Sequence, residues 1–412
     1  MRILILTDRF WPEIAAPSFR LIEHARAWVA AGHAVTVVTC VPNFPRGVVF
    51  EGYKNRLWQK ETKDGITIIR LGTYMTANEG TVKRTLDYVS YMLAAILWAP
   101  RYPKFDVVLA SSPPIFVALA GWGVSFLRGR PWVFEIRDLW PASIRAVGAS
   151  KSRVLDLVEG LELLLYRQAD RILSLTHSFK TDLTSRGVPA SKIDVVTNGV
   201  DAAQFSRERA TFDARSALGV GREVVLAGYI GTVGLAHGLR TMVEAAELLG
   251  ARPDVKLLIL GEGAESAALE AEAKRRGLTN LIFHGHVKHD LMPSYLAALD
   301  VSIIHLKPDP LFKTVIPSKI FESMAMGVPM IMAVEGESAQ IVRDADAGVC
   351  IPSGDAEAMA NAVIALADRP DERKRLADNG MRVVVTQYAR TPLALAAMRT
   401  LEQAVRTAAA DA

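Results

Sequence analysis

Short runs of leucine and β-branched residues alternate with longer stretches whose apolar positions recur every three to four residues, from one end of the chain to the other. A continuous apolar run of this length suits a strand buried on both faces, and the periodic stretches suit the helices that cover those faces. The alternation predicts an α/β fold, with parallel sheets and helices on both sides. Strands are expected at residues 2–7, 34–39, 67–70, 106–110, 132–136, 171–175 and 194–196, and then at 224–230, 256–260, 281–284, 301–305 and 329–333. A helix over 19–31 closes at Gly32, and another is expected over 239–249. The last residues, after Thr391 and Pro392, repeat an Ala/Leu helical pattern whose Leu393, Leu395, Met398 and Leu401 need a surface to cover them.

Between the two groups of strands lies Asn198-Gly199, a strong turn dipeptide, followed by a polar stretch to Gly221. The expected organisation is therefore a domain over 1–200, a linker over 201–221, a second domain over 222–388 and a terminal helix over 389–412. With 412 residues the chain suits two cores better than one. The formal charge of +4 is mild, and the absence of any long basic run gives no nucleic-acid footprint. Cys40 and Cys350 stand far apart without partners at ligand spacing, which speaks against a zinc site or a disulfide framework and for a reducing cytoplasm.

The apolar start ends before Asp8, short of the roughly 7–15 residues of a signal-peptide core, so it reads as a first strand. The stretch 86–99 contains Asp87 and is shorter than the ~20 residues of a spanning helix. Its neighbourhood combines Lys83 and Arg84 with Tyr88, Tyr91 and Trp98, and Arg101 and Lys104 follow. That composition describes either a helix lying on a membrane surface or an ordinary helix of the core.

Open α/β sheets bind ligands at the carboxyl ends of their strands, so the loops there hold the candidate chemistry. The first, from Arg9 to Ser18, contains Glu13, Ala16 and Pro17; it borders the expected crevice or is a plain connection. A second places Glu135, Arg137 and Asp138 at the end of an apolar strand, where charge needs either a solvated cleft or a partner. A third carries Gly231, Thr232, Gly234, His237 and Gly238 into a helix, a weak signal by itself. The fourth, 317–329, puts Ser318, Lys319 and Glu322 on one face of a helix introduced by Pro317 and ended by Gly327. An exposed Lys/Glu pair worth about 0.3 kcal/mol is the plain alternative. Convergence of Lys319 and Glu322 on the Gly231 loop points instead to a phosphate and ribose site.

Taken together, these segments resemble the retaining GT-B glycosyltransferases of family four, and within them the WbuB-like branch of O-antigen enzymes. The resemblance runs through residues 7–13, 32–38, 135–141, 198–201, 228–234, 260–263 and 317–329. It implies two facing Rossmann-like domains, an acceptor bound by the first, a donor nucleotide bound by the second, and a last helix crossing back to the first. Glu322 would hold the ribose, while Ser318, Lys319, Gly231 and Thr232 would face the diphosphate, and Gly285, His286 and Val287 the base. Thr314 stands where the family has its first glutamate. Thr232 and His237 fall near its arginine and lysine, and Arg137-Asp138 replaces a His-Asp pair. Lys319, Arg137 and Asp138 are therefore the expected catalytic residues.

The implied reaction takes a UDP-sugar, N-acetyl-L-fucosamine or a related N-acetylated amino sugar, to a polyprenyl-diphosphate-linked saccharide acceptor. It needs no metal or cofactor and takes place in the cytoplasm or on the inner face of its membrane. A sugar-nucleotide 2-epimerase and a non-catalytic sugar-nucleotide-binding subunit remain alternatives of the same architecture.

Overall fold

The computed structural model describes residues 1–13, 15–77, 80–139 and 153–410. Trp140 and Pro141, at the end of the third resemblance segment, lie outside the described residues. The chain divides into two compact units, Met1–Asn198 with Arg390–Ala412, and Gly199–Ala389.

The first unit runs β1 (Arg2–Leu6), α1 (Ala16–Ala30), β2 (Ala34–Cys40), β3 (Trp58–Lys63), β4 (Ile66–Leu71), α2 (Thr81–Leu97), β5 (Val107–Ser112) and α3 (Ile115–Arg128). It continues through β6 (Trp132–Ile136), α4 (Arg153–Gln168), β7 (Arg171–Ser174), α5 (His177–Ser185) and β8 (Ile193–Val195). The sheet order is β3-β4-β2-β1-β5-β6-β7-β8, parallel except for the antiparallel edge strand β3. β3 was not among the expected strands because its sequence, TrpGlnLysGluThrLys, is polar and half-exposed, as suits an edge.

In the second unit the elements are α6 (Ala214–Ala217), β9 (Val225–Ile230), α7 (Arg240–Leu248), β10 (Val255–Leu260), α8 (Ser266–Arg275), β11 (Leu281–His284) and α9 (Met292–Ala298). After these come β12 (Val301–His305), α10 (Lys319–Ala325), β13 (Met330–Ala333), α11 (Glu337–Asp344), β14 (Gly348–Cys350), α12 (Ala356–Ala367) and α13 (Pro370–Gln387). Its sheet is parallel throughout, in the order β11-β10-β9-β12-β13-β14. β14 has three residues, too few to leave an apolar run in the sequence.

The last helix, α14 (Arg390–Ala410), packs within the first unit, where Ala397, Met398, Leu401 and Ala404 share a core with Leu21, Ala25 and Trp28 of α1. The Trp28 indole donates to the Ala394 carbonyl at 2.7 Å, and Arg390 pairs with Glu23. Leu395, expected on the buried side, is exposed instead.

The stretch read as either interfacial or buried forms α2, which buries one side in the first unit and exposes the other. Tyr91 is buried with its hydroxyl on the Val38 carbonyl, and Trp98 packs on Trp58, whereas Leu86, Leu93 and Leu97 are exposed. Among the described residues, no helix is long and apolar enough to cross a membrane.

Candidate active site

Strand register lines up the loops of the second unit. Ile230 of β9, Leu260 of β10 and His284 of β11 are register partners, so Gly231, Gly261 and Gly285 follow in a row along the carboxyl edge of the sheet. The backbone N–H of Gly231 donates to Leu260 and that of Gly261 to His284, both at 2.8 Å. A Cβ at Gly261 would lie 1.9 Å from the Gly231 carbonyl oxygen, which excludes a side chain there, and one at Gly231 would lie 2.5 Å from the Lys319 Nζ, so that the lysine would have to move. Their φ values of 138° and 143° add a conformational reason. The result is a shelf without side chains at its middle.

Lys319 opens α10 and reaches that shelf, with its ammonium 3.6 Å from the centre of the Tyr229 ring. The Tyr229 hydroxyl donates to the Thr232 carbonyl at 2.7 Å, which ties the ring to the loop. Burial brings the Lys319 ammonium down to about 7, with Glu322 pulling the other way. Glu322, one turn along the helix, and Ser318, just before it, are half-buried.

His237 is brought down to about 4 by burial and then by Lys319, so it is neutral at neutral pH, and its Nδ1 lies against the Gly234 backbone, 3.4 Å from the nitrogen and 3.3 Å from the carbonyl oxygen. The carbonyl of His237 accepts from His305 Nδ1 at 2.6 Å, and His305 Nε2 accepts from the Gly354 N–H at 3.3 Å. These two bonds set the His305 tautomer. Thr232, Gly285 and His286 are exposed, and Val287 is buried. The backbone N–H of His286 donates to Glu262 at 3.4 Å. The Thr314 hydroxyl turns back to the Leu311 carbonyl at 2.6 Å.

Tyr229, Gly261, Glu262 and His305 are neighbours of this site that the sequence reading did not select. A second pair of glycines, Gly261 and Gly263, immediately after a strand was the signal that could have found the shelf.

In the first unit the charged residues separate into two groups. Glu135, expected as a cleft residue, is fully buried: it accepts from Arg20 Nε at 2.9 Å and from the Ser111 hydroxyl at 2.5 Å. Arg20 in turn donates to the carbonyls of Val196 and Thr197 and to Asn198. This network joins α1, β5, β6 and the end of β8, so Glu135 belongs to the framework. Glu13 is similarly occupied, accepting from the backbone of Asn43 and Phe44 at 2.9 Å and of Phe10 at 3.3 Å. Ala16 starts α1 and Pro17 sits in its first turn.

Arg137 is held differently. One guanidinium nitrogen donates to the Pro113 carbonyl at 3.1 Å, and its Nε has no hydrogen-bond partner among the described residues. Burial lowers its pKa, with Glu135 and then Asp8 opposing. Asp138 follows it, half-buried. Nearby, Asp8, Arg9, Glu13, Arg84, Asp87 and Tyr88 line a narrow pocket, and burial together with Asp8 pushes Asp87 up to about 7.

Two Rossmann-like units, one with a row of glycines and a half-buried lysine at the carboxyl edge of its sheet, give this chain the architecture of the GT-B class. More particularly, the chain joins two domains of that family: residues 19–199 match the glycosyl transferase 4-like domain, and residues 224–369 match the glycosyl transferases group 1 domain. Among its relatives, the 2-deoxystreptamine N-acetyl-D-glucosaminyltransferase of Streptomyces fradiae is 29% identical over 92% of this chain and 91% of its own length. A glycosyl transferase of Escherichia coli assigned to colanic acid biosynthesis, WcaI, is 27% identical over 81% of this chain and 84% of its own. The structure of Anabaena HepE in complex with UDP and glucose superposes with a TM-score of 0.73 at 17% identity, covering 98% of this chain and all of that one. Sucrose-phosphate synthase from Thermosynechococcus elongatus reaches 0.78 at 20% identity, covering 98% of each chain.

Proposed function

We propose that this glycosyltransferase moves a sugar from a UDP-sugar to a polyprenyl-diphosphate-linked saccharide during assembly of a cell-surface polysaccharide. The observation that carries the proposal is the Lys319 ammonium, held against Gly231 and Tyr229 beside a shelf open to a nucleotide. The UDP of the HepE complex, and relatives named for colanic acid and lipopolysaccharide core biosynthesis, support the donor and the pathway class. The relatives with named activities are transferases, which favours transfer over epimerisation or simple binding.

In this reading the second unit binds the donor. Glu322 accepts from the ribose hydroxyls, the Gly231–Thr232 backbone, Ser318 and Lys319 meet the diphosphate, and the base lies against Gly285, His286 and Val287. The first unit binds the acceptor, with Arg137 and Asp138 acting there. The bond between the anomeric carbon and the β-phosphate oxygen breaks, the acceptor oxygen bonds on the same face, and its proton passes to the departing phosphate. A helix N-terminus gives an anion only about 0.3–1 kcal/mol, against the roughly 8 kcal/mol by which even a modest enzyme lowers its barrier. Preorganised cations supply much of the difference, and Lys319 is the first of them.

The finer reading follows the O-antigen resemblance: an N-acetylated amino sugar such as N-acetyl-L-fucosamine, a retaining and metal-independent mechanism, and work at the inner face of the cytoplasmic membrane. The S. fradiae relative, similar over nearly the whole chain, favours a second reading with a small water-soluble acceptor. A labelled UDP-sugar panel tests both, with and without lipid-linked saccharide. Label in the organic phase supports the first reading, and label in a soluble aminocyclitol product supports the second. Release of a 2-epimer, or UDP binding with no turnover of any donor, overturns transfer.

A further inference from the structure

The second unit holds a cavity at the amino edge of its sheet, opposite the edge that carries the Gly231 shelf. It lies between the segments that lead into β12 and β13 and one face of α13, with Asp300, Gly327 and Met381 in its wall. Its volume is about 390 Å³, within the roughly 300–1,000 Å³ of small-molecule sites. α10 links the two edges, with Lys319 at its start and Gly327 just past its end.

Charge decides what such a cavity takes. Four cations from distant segments line it, Arg207, Arg215, Arg373 and Lys374, against two carboxylates, Asp300 and Asp378. Asp300 is already occupied, accepting from Arg215 Nη1 at 2.9 Å and from the Leu226 N–H at 2.8 Å. Asp378 accepts from Lys374 at 2.6 Å. The cavity therefore keeps an excess of positive charge, and a concave wall of one sign focuses its field on an anion.

The three arginines are held in place by backbone. Arg207 Nη2 donates to the Gly327 carbonyl at 3.2 Å, Arg215 Nη1 to that of Ala298 at 2.8 Å and Arg373 Nη1 to that of Ala367 at 2.8 Å. These carbonyls stand at the ends of α10, α9 and α12, so capping explains the position of each arginine singly. It does not explain why all three meet at one cavity, where like charges repel. A guanidinium carries five N–H donors in a planar fork, and the caps engage one nitrogen each of Arg207 and Arg373. The rest of each fork suits the oxygens of a phosphate, which it can engage two at a time.

We propose that this cavity binds a small phosphorylated molecule, a phosphate monoester whose dianion meets Arg207, Arg373 and Lys374. The cavity is larger than the ion, which leaves room for the polar body that the phosphate is attached to. The site is separate from the nucleotide shelf and does not depend on the proposed reaction, because its test uses no donor or acceptor.

The test is isothermal titration of the full chain with inorganic phosphate and with a hexose 6-phosphate, against chloride at constant ionic strength. Lys319→Met, which removes the cation of the nucleotide shelf, should still bind both, the hexose phosphate at least as tightly as the ion. Adding Arg207→Glu/Lys374→Glu to that variant should weaken both at least tenfold while melting within a few degrees of it, since both side chains are exposed. No binding of either ligand to wild type at millimolar concentration overturns the proposal. So does binding that survives Arg207→Glu/Lys374→Glu in the Lys319→Met background. Binding abolished by Lys319→Met alone assigns the phosphate to the nucleotide shelf and overturns it as well, and a cavity that takes phosphate but excludes the hexose phosphate overturns the monoester.

Discussion

The ammonium of Lys319 lies 3.6 Å from the centre of the Tyr229 ring and so close to Gly231 that a Cβ there would meet it at 2.5 Å. A cation enclosed by an aromatic face and backbone gives up hydration that a bound diphosphate replaces.

Donor affinity should depend on pH through this residue. With the free ammonium near 7 and a diphosphate raising it, binding takes up a proton above neutrality. The nucleotide's terminal phosphate ionises near 6, so it contributes little there. UDP affinity is expected to be flat from about pH 6.5 to 7 and then to weaken, approaching tenfold per unit, between about 7.5 and 9. Calorimetric titrations across that range check it, and Lys319→Met should bind weakly with no such slope.

The same enclosure costs the free protein stability. An unfolded lysine titrates near 10.4, so between about 7 and 10.4 the unfolded chain binds more protons at this position than the folded one. The penalty is full at and below pH 7 and shrinks as pH rises toward 10.4. Lys319→Met is expected to melt several degrees higher than wild type at pH 7, with the difference narrowing at pH 9.5 in thermal scans.

Glu322→Gln should weaken UDP binding by about 10- to 100-fold, the range for losing charge-assisted hydrogen bonds of roughly 1.5–3 kcal/mol. Uridine should lose a similar factor and inorganic pyrophosphate almost none, because the contact is assigned to the ribose. Competition assays with the three ligands separate these outcomes.

Arg137→Ala should reduce kcat at least 100-fold with little change in UDP affinity if its Nε, which has no hydrogen-bond partner among the described residues, is used in the transition state. A purely structural role would instead lower the melting temperature and leave kcat of the surviving folded protein intact.

Glu135 supplies the contrasting case. Arg20→Ala removes the ion-pair partner of its buried carboxylate and is expected to cost about 3–5 kcal/mol in urea unfolding. UDP affinity should remain unchanged in that variant.

The α/β class was legible from the chain because strands buried on both faces need continuous apolar runs. Each strand expected from that pattern is present, with ends shifted by no more than two residues, the most at the end of β5 and not at all in β6 and β11. β3 and β14 escaped because an edge strand and a three-residue strand carry no such run. The sequence also made the Gly231 loop and the Lys319 helix visible, since glycines after a strand and a proline before a helix are local signals.

Which charges are free and which are consumed inside the protein was decided only by tertiary structure. Glu135 and Arg137 are two residues apart and look equivalent in the sequence. Arg20, 115 residues away from Glu135, satisfies that carboxylate, while the Arg137 Nε has no hydrogen-bond partner among the described residues. The exposed side of α2 was hidden for the same reason: its sequence is an ordinary amphipathic pattern, and only the packing of the first unit shows that Tyr91 is buried while Leu86, Leu93 and Leu97 are exposed. Periodicity reports what one segment needs to bury, but pairing and coverage depend on residues that the chain brings together from far apart.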